Sequence, residues 1–521
     1  MNQLQGDFRY NTGRVTFSLP GPAKRLGIGR QDQSMNMIRK GIVGVAFVVS
    51  ALAAIGASPV AAAGPADTTA DAVLGQPNLT SNTLNEPSGD PTMPTASNLA
   101  LSNAAHLAIA PDGRLYISDA DNHRVLSWPD AAAFADGDAA DMAFGQPDFV
   151  SNVPNNGGVS ASTLSLPQGL SVDEAGNLWV ADAFNSRVLK FNDPATDATP
   201  TAADLVIGQP DMVSNDGNLG GGPVEPDVAL PDSLLFPGRV IVRGDDVFIA
   251  DSGNSRVLHY AAPMANKPLA DLVFGQFGDF TIRAKNNQGD GVDGCCPLPE
   301  NLFNPIGLAL DAGGSLFVAD WMNHRVLRYD DPLATDVAAD AVIGQPDLFS
   351  NAPNNGGVAD GLSLPIDLFI GCGGALYVAD SANNRVLVHD DPIADASPDR
   401  VFGQLGSFAA NGVNHGLGFF ATDPDALWGP TAARLDADGR LHVVDTNNHR
   451  LLRFDAAPLV PGDMNDDGVF DVDDVAAFAL ALTDPIAYAS VDCGASRGDL
   501  DGSGDVDGLD VAPFVAALVA P

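Results

Sequence analysis

Two stretches near the C-terminus carry oxygen-bearing side chains at a repeated spacing. Asp, Asn or Ser residues stand at positions 1, 3, 5, 9 and 12 of each stretch, and a glycine stands at position 6, where the chain must turn sharply. These oxygens match the ligand set of a calcium loop, in which position 7 coordinates through its backbone carbonyl. The sequence therefore predicts two bound calcium ions. Their ligands would be Asp463, Asn465, Asp467, Val469, Asp471 and Asp474 in one loop, and Asp499, Asp501, Ser503, Asp505, Asp507 and Asp510 in the other.

Each loop is followed by one apolar run, 475–482 and 511–519, which predicts one helix after each loop. Twin loops of this kind, ending in Asp instead of the usual Glu, resemble a dockerin module over residues 462–521. The resemblance implies a small α-helical domain that folds around calcium and attaches to a cohesin-like domain of a partner. The pairs that often decide the partner, Val472-Asp473 and Gly508-Leu509 here, are unlike the Ser-Thr pairs of cellulosomal dockerins. Which cohesin is bound is therefore left open.

Ahead of this tail, an aspartate and an arginine five residues apart recur six times. An Asp at the end of one strand and an Arg at the start of the next can fix a tight connection through a charge-assisted hydrogen bond. Repetition in one register favours a structural role over a catalytic one. The pairs are Asp119/Arg124, Asp182/Arg187, Asp251/Arg256, Asp320/Arg325, Asp380/Arg385 and Asp445/Arg450.

The elements that position these pairs are short strands. In the unit 304–345, four apolar runs bounded by Gly, Pro, Asn or Asp predict four strands, which make one propeller blade. The phrase D-x-x-N-H-R-V-L at 320–327 resembles the NHL repeat, and six copies imply an all-β, six-bladed β-propeller over 71 to about 455. A second phrase, ending in Gly-Gln, precedes the first unit at 71–76 and is missing after the last. We therefore expect an N-terminal strand to close the ring.

Two further features of the units bear on function. Aromatic residues or histidines recur at two positions of each unit, which indicates packing between blades. Between each Gly-Gln and the next unit lies a Gly- and Asn-rich insert, such as 151–158 or 350–357. Long loops on a rigid scaffold commonly carry binding sites, so we expect a protein or glycan ligand there.

Catalytic patterns are weak by comparison. We assign the channel-side position of the first strand in each unit to His106, Gly169, Gly238, Gly307, Asp367 and Ala432. One histidine and one aspartate fall short of the three protein ligands of a catalytic zinc. The chain also lacks a P-loop and an H-E-x-x-H helix. This favours a binding or scaffold protein. The alternatives are a lyase or hydrolase acting on carbohydrate or peptide, carried into a complex by the tail, and a purely structural envelope component.

The net charge and the N-terminal segment indicate which partners and which cellular location to expect. With 26 basic and 66 acidic residues the formal charge is −40, which repels nucleic acid. Arg39 and Lys40, an apolar run at 41–57 and small residues to Ala63 predict a secretory signal, with the true start at Met35 or Met37. The run is short for a membrane anchor, which is the alternative. We expect a secreted or envelope-associated protein whose mature chain does not span a membrane.

The expected organisation is a leader and signal at 1–63, a propeller at 64–455, a Pro-punctuated linker at 456–461 and the dockerin-like domain at 462–521. The four cysteines, Cys295, Cys296, Cys372 and Cys493, form neither a disulfide framework nor a Cys-x-x-Cys metal site. Export permits disulfides. A bridge between the adjacent Cys295 and Cys296 and free thiols both remain open.

Overall fold

The fold is a ring of six four-stranded antiparallel sheets. The first strand of each sheet contacts the first strands of both neighbouring sheets, including the last with the first, so these six strands surround a central channel. The structure is a computed structural model. It describes residues 68–86, 88–102, 105–195, 202–220, 228–262, 268–334 and 337–455 and, in the tail, 462, 464, 470, 472, 474–483, 500, 506 and 508–518.

The strands follow the chain blade by blade. Blade one holds β2 (Leu107–Ile109), β3 (Leu115–Asp119), β4 (Arg124–Trp128) and β5 (Met142–Phe144). Blade two holds β6 (Pro167–Val172), β7 (Leu178–Asp182), β8 (Arg187–Phe191) and β9 (Leu205–Ile207). Blade three holds β10 (Arg239–Arg243), β11 (Asp246–Asp251), β12 (Arg256–Ala261) and β13 (Leu272–Phe274).

Blade four holds β14 (Pro305–Leu310), β15 (Leu316–Asp320), β16 (Arg325–Tyr329) and β17 (Ala341–Ile343). Blade five holds β18 (Pro365–Ile370), β19 (Leu376–Asp380), β20 (Arg385–His389) and β21 (Arg400–Phe402). Blade six holds β22 (Pro430–Leu435), β23 (Leu441–Asp445) and β24 (Arg450–Phe454), and its fourth strand is β1 (Ala72–Leu74).

The N-terminal strand closes the ring. Ala72 of β1 pairs with Arg453 of β24, and Leu74 pairs with Leu451, in antiparallel register. Gln76 then donates from Nε2 to the carbonyl oxygen of His449 at 3.0 Å. The outer edge of blade six is thereby hydrogen-bonded to the start of the propeller, which removes an open edge.

Apolar side chains fill the spaces between neighbouring blades. One cluster joins Tyr116 and Phe144 of blade one to Leu178 and Phe191 of blade two, and the rings of Phe144 and Phe191 meet edge to face at 5.6 Å. Both aromatic series predicted from the sequence are buried. They are Tyr116, Trp179, Phe248, Phe317, Tyr377 and His442, and Trp128, Phe191, Tyr260, Tyr329, His389 and Phe454.

The tail contributes two short helices, α1 (Asp474–Thr483) and α2 (Val511–Leu518). Phe478 of α1 stacks on Phe514 of α2 with ring centroids 3.9 Å apart and planes within 5°. Met464 and Ala481 are buried in the same small core. Among the described residues, no helix is long and apolar enough to cross a membrane. The expected signal at 1–63 and the expected linker at 456–461 lie outside the described residues.

Candidate functional site

Each repeated Asp/Arg pair is a fully buried part of the scaffold. In blade four, Asp320 Oδ2 accepts hydrogen bonds from Arg325 Nε and Asn323 Nδ2, both at 2.7 Å, and Oδ1 accepts one from the Phe303 backbone at 2.7 Å. Across the six copies the Nε–Oδ2 distance stays between 2.6 and 2.8 Å. The six pairs are 0% exposed, so they hold turns and inserts in place and offer no group to a substrate.

A second repeated contact anchors the inserts. Asn354 adopts a left-handed backbone (φ 52°) and exchanges two side-chain hydrogen bonds with Asn383 of the next turn, at 3.0 and 2.7 Å. The sequence pattern predicts only a loop in this part of each insert. The same reciprocal amide contact recurs in the pairs Asn85/Asn122, Asn155/Asn185, Asn218/Asn254, Asn286/Asn323 and Asn414/Asn448.

Three of the histidines link neighbouring blades. His324 precedes the turn arginine with φ 53°, and its Nδ1 accepts the backbone N–H of Leu364 at 3.0 Å. His123 and His449 make the equivalent contact at 3.0 and 3.2 Å. These imidazoles are therefore occupied by the scaffold as hydrogen-bond acceptors.

The channel differs from the sequence expectation in blade three. Gly238 was assigned to the channel-side position, but Arg239 occupies it, because Val240 pairs with Ile249 as Leu308 pairs with Val318 in blade four. The β10–β11 hairpin is one residue shorter than its counterparts, so the channel-side residue lies one position closer to Asp251.

Four polar side chains meet in the channel. Arg434 donates from Nη1 to Asp367 Oδ2 at 2.7 Å, and its Nη2 lies 2.7 Å from His106 Nε2. His106 Nε2 lies 3.3 Å from Asp367 Oδ2. Arg239 approaches from the other side, with Nε 3.7 Å from Asp367 Oδ1 and Nη1 donating to the carbonyl oxygen of Leu170. We call His106, Arg239, Asp367 and Arg434 the channel cluster.

Burial and charge fix the protonation states in the cluster. Burial, assisted by the charges of Arg239 and Arg434, lowers the pKa of His106 to about 3. Burial alone would raise the pKa of Asp367, but Arg434 and its neighbours more than offset this and hold it well below the ordinary value. At neutral pH the histidine is therefore neutral and the aspartate ionised.

These contacts disfavour a zinc site at His106 and Asp367. Two guanidinium groups lie against the histidine and the carboxylate, and cations in that position repel a metal ion. Within the part of the chain that the structure describes, no group of three or more His, Cys, Asp and Glu side chains is placed to hold a metal.

A larger open site lies at the end of the blades where the inserts and the Asp/Arg turns meet, which we call the insert face. A cavity of about 760 Å³ is bounded by the insert 275–304 and by the blade-three turn at Gly253 and Ser255. Its polar lining includes Thr281, Arg283 and Lys285. Lys285 Nζ lies 3.4 Å from Asp293 and 5.3 Å from the centre of the Phe303 ring.

The insert beside this cavity is internally braced. Cys295 and Cys296 form a disulfide between adjacent residues. The carbonyl oxygen of Cys296 accepts hydrogen bonds from Gln288 Nε2 at 2.7 Å and Asn301 Nδ2 at 3.3 Å. The bridge and these amides restrict the insert next to the cavity wall.

Of the twelve expected calcium ligands, Asp474 and Asp510 are the two that lie within the described residues. Both are 0% exposed. Asp474 Oδ1 accepts the backbone N–H of Met464 at 2.6 Å, and Asp510 Oδ1 accepts that of Leu500 at 2.7 Å. Each contact joins position 12 of a loop to position 2 of the same loop. Buried carboxylates held in this matched way fit a calcium donor set.

Comparison with known proteins identifies the repeat in blade two. A family model described as "NHL repeat" matches residues 164–191, which span β6 to β8. This segment is an NHL repeat. The other five blades share its Asp, Asn and Arg positions.

Three solved structures resemble this chain at low identity and low structural similarity. A streptogramin B lyase is 11% identical, with 70% of this chain and 97% of that chain covered and a TM-score of 0.39. Virginiamycin B lyase from Staphylococcus aureus is 10% identical, with 67% and 78% covered and a TM-score of 0.35. A gluconolactonase from Xanthomonas campestris is 15% identical, with 75% and 100% covered and a TM-score of 0.36. No curated protein matches the sequence. Scores this low carry no inference about activity.

Proposed function

We propose that this protein is a secreted or envelope-associated binding protein. Its propeller holds a protein or glycan ligand at the insert face, and its tail attaches it, in a calcium-dependent way, to a cohesin-like domain. The observation that carries the proposal is the insert-face cavity of about 760 Å³, which is lined by hydrogen-bond donors and braced by the insert 275–304. Cavities of this size accommodate small-molecule or sugar-sized groups.

The channel supports the binding role over the enzyme alternative. His106 and Asp367 are the two channel-side residues that the sequence offers for metal or acid–base chemistry, and arginines contact both. A lyase or hydrolase on carbohydrate or peptide would need its reacting groups elsewhere. Metal analysis of the purified protein separates the two functions, since stoichiometric zinc lost on substitution of His106 would favour the enzyme.

The insert-face site is tested by the double variant Arg283→Ser, Lys285→Ser. The wild-type protein is screened for binding to glycans and to envelope proteins of its source, and the variant is measured against each ligand found. We expect affinity to fall at least about tenfold, because a charged hydrogen-bond donor contributes about 1.5–3 kcal/mol. Arg328→Ser is the matched control, because Arg328 pairs with Asp330 away from the cavity. Unchanged binding by the double variant would exclude this cavity.

For the tail, we propose that the two loops bind one calcium ion each. Without the ion, the carboxylates within each loop would repel one another. Calcium binding and folding of the tail are therefore coupled. Asp474→Asn and Asp510→Asn keep the oxygen that accepts the Met464 or Leu500 N–H while removing charge. Each should weaken one of two calcium-binding events in calorimetry and leave the other unchanged.

A further inference from the structure

The channel cluster contains more positive than negative charge. Arg239 and Arg434 are cations, Asp367 is an anion and His106 is neutral, which leaves one positive charge in excess. In the described part of the chain, Asp367 is the one carboxylate within ion-pair distance of either arginine. An excess charge in a buried site is strongly destabilising unless a counter-ion or hydrogen bonds compensate it.

The hydrogen bonds of Arg239 are incomplete as well. This side chain is 6% exposed, and its Nε is buried with no hydrogen-bond partner. Nη1 donates to Leu170, and Asp367 lies 3.7 Å from Nε, beyond hydrogen-bond distance. Nη1 also lies 3.4 Å from His106 Nδ1. A buried guanidinium normally satisfies its donors, so the Nε of this one lacks an acceptor. The burial and the crowding by Arg434 lower the pKa of Arg239 to about 9, which still leaves it a cation at neutral pH.

A cavity of about 290 Å³ leads to the cluster from the end of the channel opposite the insert face. It is lined by the C-terminal halves of the first strands, and Arg239 and Arg434 are part of its wall. Arg243 stands on the same wall, where it donates to the backbone carbonyl of Ala312 at 2.9 Å. The rest of the lining is mainly apolar, including Ile109, Leu308, Phe369 and Leu435.

We propose that this cavity binds an organic monocarboxylate, whose carboxylate is held by Arg239 and Arg434 and whose apolar body lies against the aliphatic and aromatic wall. A single negative charge balances the excess of one positive charge within the channel cluster, and the mainly apolar lining favours an anion with an apolar body over sulfate or phosphate. A planar carboxylate also matches the fork of N–H donors on a guanidinium. The site lies at the opposite end of the channel from the proposed insert-face site, and its test does not depend on that site.

The test is thermal unfolding of the full chain in acetate, butyrate, sulfate or chloride at constant ionic strength. We expect a saturable rise in Tm with acetate and a lower half-saturating concentration for butyrate, because its longer chain buries more apolar surface. Sulfate and chloride should give no saturable rise. Equal behaviour of all four anions, no response to carboxylates, or a response confined to sulfate or chloride would overturn the proposal.

Two variants locate the effect. Arg239→Gln should raise the half-saturating butyrate concentration at least about tenfold. In carboxylate-free buffer it should be as stable as the wild type or more so, because the excess charge is gone. Arg328→Gln should behave as the wild type. A purely structural arginine would instead give lower stability in Arg239→Gln at every butyrate concentration, with the butyrate response intact. Arg434→Gln provides a second test of the same loss, and retention of the full response by both variants would also overturn the proposal.

Discussion

At the scale of single residues, the most conspicuous polar groups of this chain build structure. In blade four, the side chains of Asp320, Asn323 and Arg325 are buried and form hydrogen bonds with one another and with backbone groups. Their spacing indicated a structural role, because six copies in one register are unlike a single catalytic site. The candidate functional residues lie instead at positions that differ between blades, such as Arg239, Arg283 and Lys285.

A first prediction concerns the buried ion pair. Asp320→Asn should lower the free energy of unfolding by about 3–5 kcal/mol, because it leaves Arg325 buried without its counter-charge. Urea unfolding measures the loss. Asp330→Asn is the matched control, since Asp330 is 52% exposed in its pair with Arg328 and should cost less than about 1 kcal/mol. Equal effects of the two substitutions would contradict the scaffold role.

A second prediction concerns pH. Burial lowers the pKa of His389 from 6.5 to about 4. The unfolded chain therefore binds a proton in this window that the folded chain does not, and stability falls as pH drops, by up to about 1.4 kcal/mol per pH unit for one histidine. His389→Phe restores the aromatic residue type of most other blades and should reduce this slope. Part of the pH dependence of stability should remain in this variant, because burial also lowers the pKa of His106 and of His442. Urea midpoints between pH 4 and 6.5 that run parallel for both proteins would contradict this.

At the scale of elements, the sequence predicted the blades well and the channel poorly. The four-strand units followed from short apolar runs with turn residues at their ends, which are local signals. Arg239 was missed because the β10–β11 hairpin is one residue shorter, and strand register decides which side chain faces the channel. Aligning the units on Leu164, Leu234 and Leu302 instead, five residues before the channel position, would have found it. Arg434 lies two residues beyond the channel-side position of β22. A prediction that takes one residue from each first strand therefore does not include it.

The inserts give a third prediction, argued from Asn354. Asn354→Gly keeps the left-handed backbone and loses only the amide pair with Asn383, while Asn354→Ala loses the pair and strains the backbone. We expect a loss of about 1–3 kcal/mol for Gly, from the two hydrogen bonds that the buried Asn383 amide loses, and a larger loss for Ala. Urea unfolding gives the order wild type, Gly, Ala. If Ala is the more stable variant, the backbone conformation is not what the asparagine provides.

At the scale of the whole molecule, the propeller is a closed platform with two distinct ends. β1 pairs with β24 and ties the first blade to the last, so the inserts are carried on a ring without an open edge. One end presents the insert-face cavity and the other leads to the channel cluster. The tail has its own small core around Phe478 and Phe514, and its calcium loops are the proposed point of attachment.

The measurement that tests this account most directly is retention of the full chain on immobilised envelope proteins of its source, in calcium and in chelator. Wild-type protein and the double variant Asp474→Asn, Asp510→Asn are compared, with Arg283→Ser, Lys285→Ser as a variant that alters only the propeller cavity. We predict retention of the wild type in calcium and its release by chelator, strongly reduced retention of the tail variant, and calcium-dependent retention of the cavity variant. Retention that is equal in calcium and chelator, and unaffected by the tail substitutions, would contradict a calcium-dependent attachment.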